Sequence, residues 1–185
     1  MTPTRRVTLI AFLSALSFLL MFFKFPLIPS ASFLEVEFSL LPILLGLVLL
    51  DRRSSLTILL LRSILKLLLH NAGPSTVIGL PMNMLSLALF VWVMDQVWNQ
   101  SPSLRRYTIA ALFATLASTL AMLVLNYIYV IPLYRVVAHF DIERVLGLVP
   151  YLVAMVLPFN LLQGLILSLA FYLVYQVLSS RLKSC

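Results

Sequence analysis

The sequence predicts an all-α membrane protein, built as one bundle of six transmembrane helices. Of its 185 residues, 62% are hydrophobic and only 10% are charged, whereas about a quarter of the residues in a soluble domain carry charge. The apolar residues come in long blocks rather than in alternating or 3.6-residue patterns, so most helices must be apolar on all sides. No polar stretch is long enough to fold separately, and we therefore predict a single transmembrane domain over residues 1–185.

Six apolar blocks approach the roughly 20 residues that a helix needs to cross the hydrocarbon core. The second block is short and carries Pro42 near its start, so it spans only where the bilayer thins or the preceding loop extends it. Five spans, with the second block re-entrant, are the main alternative. The predicted spans are residues 7–23, 38–50, 54–69, 78–97, 107–133 and 146–178.

Basic residues predict the orientation in the membrane. With six spans, four pairs of basic residues fall on one side, which the positive-inside rule assigns to the cytoplasm together with both termini. The opposite side receives a mixed set of charges with little net charge. The formal net charge of +7 thus follows from topology, and we expect no nucleic-acid partner. The pairs are Arg5 and Arg6, Arg52 and Arg53, Arg105 and Arg106, and Arg181 and Lys183.

The common catalytic motifs are missing from the sequence. It has no Gly-x4-Gly-Lys-Ser/Thr loop for ATP, no HExxH zinc motif and no Gly-x-Ser-x-Gly nucleophile elbow. The two histidines, His70 and His139, fall in different loops, and the six acidic residues form no paired metal site. We therefore predict that the chain is not an enzyme and binds no metal.

Two basic residues lie inside the third predicted helix, where a charge is costly. Arg62 and Lys66 are one turn apart and face the same side. Lys66 can extend to the outer surface, whereas Arg62 lies nearer mid-span and needs a partner. Either Glu35 or Glu37 of the outer loop, or backbone carbonyls at a broken helix end, can supply it. An ion pair that pins this loop over the bundle and a direct contact between Arg62 and a ligand explain the pattern equally well.

Three amides lie in the outer halves of the last two predicted helices. Asn126 is in the fifth helix, and Asn160 and Gln163 project from one face of the sixth. With nearby aromatic residues they can line an outward pocket for a flat, neutral ligand that forms hydrogen bonds. Hydrogen bonds between helices, worth about 0.6–2 kcal/mol each, explain the amides equally well. The aromatic residues are Tyr127, Tyr129, Tyr134, Tyr151 and Phe159.

Small side chains line one side of the first helix, where Ala11 and Ala15 are four residues apart and Ser14 and Ser17 lie beside them. Such a face lets another helix approach closely. It serves either packing inside this bundle or docking onto a partner subunit, and the pattern alone does not choose between them.

Five segments of the chain together resemble one known family. They are residues 9–18, the loop 24–39 with its Lys-Phe-Pro start, residues 65–70, residues 126–134, and residues 158–164. The last two are the most specific, with Asn126-Tyr127 before Pro132-Leu133-Tyr134 and with Asn160 and Gln163. These segments resemble the S component of an energy-coupling factor (ECF) vitamin transporter, of the riboflavin-binding type, over nearly the whole chain.

The resemblance implies a cell-membrane protein whose outward pocket binds one vitamin, riboflavin or another flavin, under the loop after the first helix. It implies no cofactor. The implied partners are a transmembrane coupling subunit and two ATPases, and Ala11 and Ala15 match the family's docking motif. The implied ligand-binding residues are Asn126, Asn160, Gln163, Tyr127, Tyr134, Phe159, Phe33 and Lys66.

The sequence departs from the resemblance in two places. Ser39-Leu40-Leu41-Pro42 stands where many members have an acidic residue with glycine-rich flanks, and Gln163 stands where many have lysine. Glutamine can also donate a hydrogen bond, so riboflavin remains the expected ligand while the choice among flavins is open. The alternatives are an S component for another vitamin and, in a different class, a membrane scaffold subunit that binds no small molecule.

Overall fold

The computed structural model describes residues 2–31, 33–101 and 103–182, without the side chains of residues 30 and 179–182. Lys183, from the fourth predicted basic pair, lies outside this part of the chain. The described part is almost entirely helical, with one short hairpin after the first helix. Its helices are α1 (Pro3–Leu20), α2 (Leu40–Leu49), α3 (Arg52–Leu69), α4 (Pro74–Trp98), α5 (Leu104–Leu125), α6 (Ile131–Val137), α7 (Ile142–Leu146) and α8 (Leu157–Leu182).

Four helical stretches are long and apolar enough to cross a membrane, which confirms the prediction of an α-helical, multi-pass membrane protein. They are Pro3–Leu20, Pro74–Trp98, Leu104–Val137 and Pro150–Leu178. The predicted count of six is not confirmed by this measure. Among the other described helices, α2 has only 10 residues, and α3 carries four basic residues among its 18.

The short helix α2 lies at the centre of the main hydrophobic core. Its Leu40, Ile43, Leu44 and Leu47 are almost completely buried, because α1, α3, α4 and α8 all pack against it. The chain then turns at Asp51, whose carboxylate accepts the backbone N–H of Ser54 at 2.8 Å and so caps α3. This hydrogen bond and the nearby Arg6 guanidinium hold the pKa of Asp51 below its ordinary value.

Two π-helical segments interrupt the last two predicted spans. Asn126–Val130 joins α5 to α6, so the fifth helical stretch continues to Val137. Pro150–Val156 precedes α8. The sixth predicted span, residues 146–178, begins too early, because Gly147 has a φ of 77° and ends the short α7. The apolar composition of these residues gives no indication of such a break in the helix.

The loop after α1 forms a two-stranded antiparallel hairpin. Strand β1 (Lys24–Pro26) pairs with β2 (Glu35–Glu37), and Phe25 lies opposite Val36. Val36 is completely buried, and the Ser17 hydroxyl of α1 donates to the Ser39 carbonyl oxygen at 2.6 Å. The hairpin is therefore fixed to the end of the bundle.

Candidate ligand-binding site

A cavity of about 740 Å³ lies beneath the hairpin, between α3, α4, the end of α5 and the start of α8. Its volume falls within the range of small-molecule pockets, about 300–1,000 Å³. Seven of the eight side chains that the resemblance implied for a ligand line this cavity. They are Asn126, Asn160, Gln163, Tyr134, Phe159, Phe33 and Lys66.

The eighth, Tyr127, does not line the cavity, and its prediction as a site residue needs correction. More than half of its surface is exposed on the outside of the bundle. Successive residues of a helix point in different directions around its axis, so a segment whose Asn126 faces inward turns Tyr127 away. Tyr129, which the sequence also grouped with the pocket, packs in a small hydrophobic cluster beside the cavity.

Asn126 is held by the protein at both ends of its carboxamide. Its Nδ2 donates to the Met122 carbonyl oxygen at 2.7 Å, and the Tyr151 hydroxyl donates to its Oδ1 at 2.6 Å. The residue is 3% exposed. Asn126 therefore joins two helical segments by a hydrogen bond and also lines the cavity.

Asn160 has more hydrogen-bonding capacity left over. Its Nδ2 donates to the Val156 carbonyl oxygen, one turn earlier, at 2.8 Å. In the described part of the chain no donor bonds its Oδ1, and the half-buried side chain of Gln163 makes no hydrogen bond. Each of these amides can thus offer both a donor and an acceptor to a ligand.

The helices α5 and α8 approach each other closely next to Gln163. A Cβ added to Gly164 would lie 2.5 Å from side-chain atoms of Thr115, so only glycine fits at this crossing. Gly164 directly follows Gln163, so this crossing fixes the position of Gln163 relative to α5.

Arg62 forms a buried ion pair with the hairpin. Its Nη2 lies 2.7 Å from the Glu37 Oε1, and both terminal nitrogens donate to the Asn83 Oδ1 at 3.1 Å. The arginine is completely buried and does not line the cavity, whereas Glu37 and Asn83 do. Of the two explanations left open by the sequence, the structure shows the ion pair.

Four charged residues line the cavity where the hairpin meets α3, and they are Lys24, Glu35, Glu37 and Lys66. Lys24 and Glu35 form a partly exposed ion pair. Lys66 is half-buried, with no carboxylate of the described residues within ion-pair distance. Among those residues, no three His, Cys, Asp or Glu side chains converge in a group that could hold a metal ion.

Asn83 and Tyr151 also line the cavity but were not among the implied ligand-binding residues. Asn83 carries an amide within the apolar helix α4. The same pattern led to the prediction of Asn126, so Asn83 could have been predicted as a site residue in the same way. Tyr151 was grouped with the pocket aromatics but given no role. Its ring stacks on Phe33 of the loop, with centroids 6.4 Å apart and planes 23° apart.

The small face of α1 divides into two. Ser14 and Ser17 are buried against the bundle, whereas Ala11 and Ala15 are exposed on its outside. The alanines therefore do not take part in packing within the chain, and another helix can reach them.

Comparisons with known proteins agree with this architecture. The family model of the ECF transporter substrate-specific component matches residues 5–175. The riboflavin transporter RibU of Streptococcus thermophilus is 53% identical over 98% of this chain and 86% of its own length. RibU of Lactococcus lactis subsp. cremoris is 41% identical over 96% of this chain and 94% of its own length. A solved S component of a bacterial ECF transporter superposes with a TM-score of 0.81, at 26% identity, covering 98% of this chain and 99% of that one.

These relatives are named as transporters, which confirms the prediction that the chain is not an enzyme. The family match covers almost every element that builds the cavity, from α1 into α8. The chain belongs to the family of ECF transporter substrate-specific components.

Proposed function

We propose that this chain is a riboflavin-binding S component. It captures riboflavin from outside in the cavity under the hairpin, and releases it inward when a transmembrane coupling subunit and two ATPases supply the energy. The observation that carries the proposal is the 740 Å³ cavity lined by Asn126, Asn160 and Gln163, in a chain 53% identical to a protein named as a riboflavin transporter.

The cavity suits the chemistry of a flavin. Riboflavin has an apolar dimethylbenzene edge, a polar edge with carbonyl and imide groups, and a hydroxylated chain. Phe159 and Phe33 supply aromatic walls, and the amides of Asn160 and Gln163 supply donors and acceptors for the polar edge. A pocket with mostly apolar walls and a few polar groups gives both affinity and orientation.

Six crossings, with both termini in the cytoplasm, remain our proposal for the topology. Arg6 of α1 forms an ion pair with Asp51 before α3, and Phe22 after α1 contacts His70 after α3, with ring centroids 5.1 Å apart. Both contacts support α1 and α3 running in the same direction. The intervening α2 then runs back between them, and its 10 residues cross the bilayer together with β2 and the turn after it.

Labelling of single cysteines tests this topology. In a Cys185→Ser background, we expect Asp141→Cys to react with an impermeant thiol reagent added to intact cells. Arg105→Cys should react only after the membrane is opened, because the basic pairs stay inside. Outside labelling of Arg105→Cys, with protection of Asp141→Cys, would reverse the orientation.

Asn160→Ala should weaken riboflavin binding by about 5- to 150-fold, because a buried ligand group left unpaired costs about 1–3 kcal/mol. The ligand-free protein should keep its melting temperature, since the side chain bonds only to its own helix. Ser168→Ala is the matched control, because this residue is buried on α8 but does not line the cavity. Equal affinity in both variants would remove Asn160 from the site.

Uptake of labelled riboflavin tests the transport function itself. The chain is expressed, with and without an ECF coupling subunit and its ATPases, in cells that neither make nor import riboflavin. We expect uptake only when all components are present. Uptake of a different vitamin would favour the other S-component assignment, and no uptake of any vitamin would favour a scaffold subunit.

A further inference from the structure

We propose that Tyr151 is a positioning residue that sets the orientation of the Asn126 carboxamide toward the ligand. This inference rests on the proposed function, because it concerns the same cavity. Tyr151 is the second residue of the second π-helical segment and is 3% exposed. It lies between the amide on one side and the loop that covers the cavity on the other.

The hydrogen bonds around Asn126 leave the carboxamide one orientation. The Met122 carbonyl oxygen can only accept, so the NH2 group must face it, at 2.7 Å. The Oδ1 then faces the Tyr151 hydroxyl, which donates to it at 2.6 Å. Without that hydroxyl, only the bond to Met122 and the weak contact with the Met82 sulfur would hold the amide, and its plane could rotate.

This orientation leaves one N–H and one oxygen lone pair of Asn126 for a ligand. The second N–H lies near the sulfur of Met82, at 3.8 Å, and a thioether is a weak acceptor that a ligand carbonyl can replace. A neighbouring donor and acceptor are complementary to the imide edge of a flavin, where a carbonyl lies beside an N–H. Tyr151 thus affects flavin binding indirectly, through the orientation of the Asn126 carboxamide.

The ring of Tyr151 also contacts the covering loop. Phe33 stacks on it within the 4.5–7 Å range typical of aromatic pairs. Tyr151→Phe keeps this ring contact and removes only the hydroxyl, so it separates the effect on Asn126 from any effect on the loop.

The test measures riboflavin affinity by flavin fluorescence in purified full-length protein. We expect Tyr151→Phe to raise the Kd for riboflavin about 3- to 10-fold, which corresponds to the net free energy of one ordinary hydrogen bond. The matched control is Tyr107→Phe, which also loses a buried 2.6 Å bond, from its hydroxyl to the Ser168 carbonyl oxygen, but outside the cavity. Its Kd should change less than twofold.

Two further measurements separate positioning from support of the fold. In an Asn126→Ala background, Tyr151→Phe should have no further effect on the Kd. A flavin methylated at the imide nitrogen should bind wild type more weakly than riboflavin, and Tyr151→Phe should reduce this preference. An unchanged preference, or effects of the two substitutions that simply add, would overturn the inference.

The outcomes also separate this inference from the proposed function. Wild-type protein that binds no riboflavin would overturn both. Wild-type protein that binds riboflavin, with equal affinity in Tyr151→Phe, would overturn only the role of Tyr151.

Discussion

Uptake of riboflavin should be abolished when Ala11 and Ala15 are both replaced by tryptophan, while binding to the isolated protein stays nearly unchanged. Both alanines lie on the outside of α1. A large side chain there fits among lipid chains but prevents another helix from approaching closely. The inner side of α1 is untouched, because Ser17 still bonds the turn after the hairpin. Uptake with the coupling module and fluorescence titration of the purified variant measure the two effects.

The matched control places tryptophan at Leu116 and Leu120, which are also four residues apart and exposed on α5. This variant should keep both uptake and binding. Normal uptake by the alanine variant would contradict the docking role. Loss of binding in step with uptake would instead mean that the face packs within the chain.

Breaking the buried ion pair should give the largest loss of stability. Glu37→Ala leaves the completely buried Arg62 without its carboxylate, and an unpaired buried charge costs about 3–5 kcal/mol. We expect a marked fall in the melting temperature of the ligand-free protein. Glu35→Ala, which breaks the partly exposed pair with Lys24, should cost only about 0–1 kcal/mol.

The double variant Arg62→Met with Glu37→Leu distinguishes charge from packing. Replacing both members of a buried pair with apolar residues is often close to neutral, so it should recover most of the stability lost in Glu37→Ala. If Glu37→Ala melts no lower than Glu35→Ala, the hairpin is not held by this ion pair.

The helices could be predicted from the sequence where an apolar block coincides with one unbroken helix. Residues 54–69 and 78–97 fall within α3 and α4. Breaks inside an apolar block cannot be located from hydropathy, because Gly147 and the π-helical segments change the backbone without changing the apolar composition. The hairpin was also missed, since a three-residue strand carries almost no pattern of its own.

The candidate site could be predicted as far as residue type allows. Amides in apolar helices are costly without partners, and that argument located Asn126 and Asn160. The same argument could not show how the hydrogen bonding of the two asparagines differs. Asn126 bonds to Tyr151, which lies far away along the chain, whereas Asn160 bonds only to the backbone one turn before it. Nor could it exclude Tyr127, because the rotation of a helix about its axis is set by packing with its neighbours.

Titration of the purified chain with riboflavin tests the central claim most directly. Quenching of flavin fluorescence should saturate at one riboflavin per chain, and it should require much more ligand in Asn160→Ala than in Ser168→Ala. Flavin fluorescence that stays unchanged with an equimolar amount of folded wild-type protein would contradict the claim that this cavity binds riboflavin.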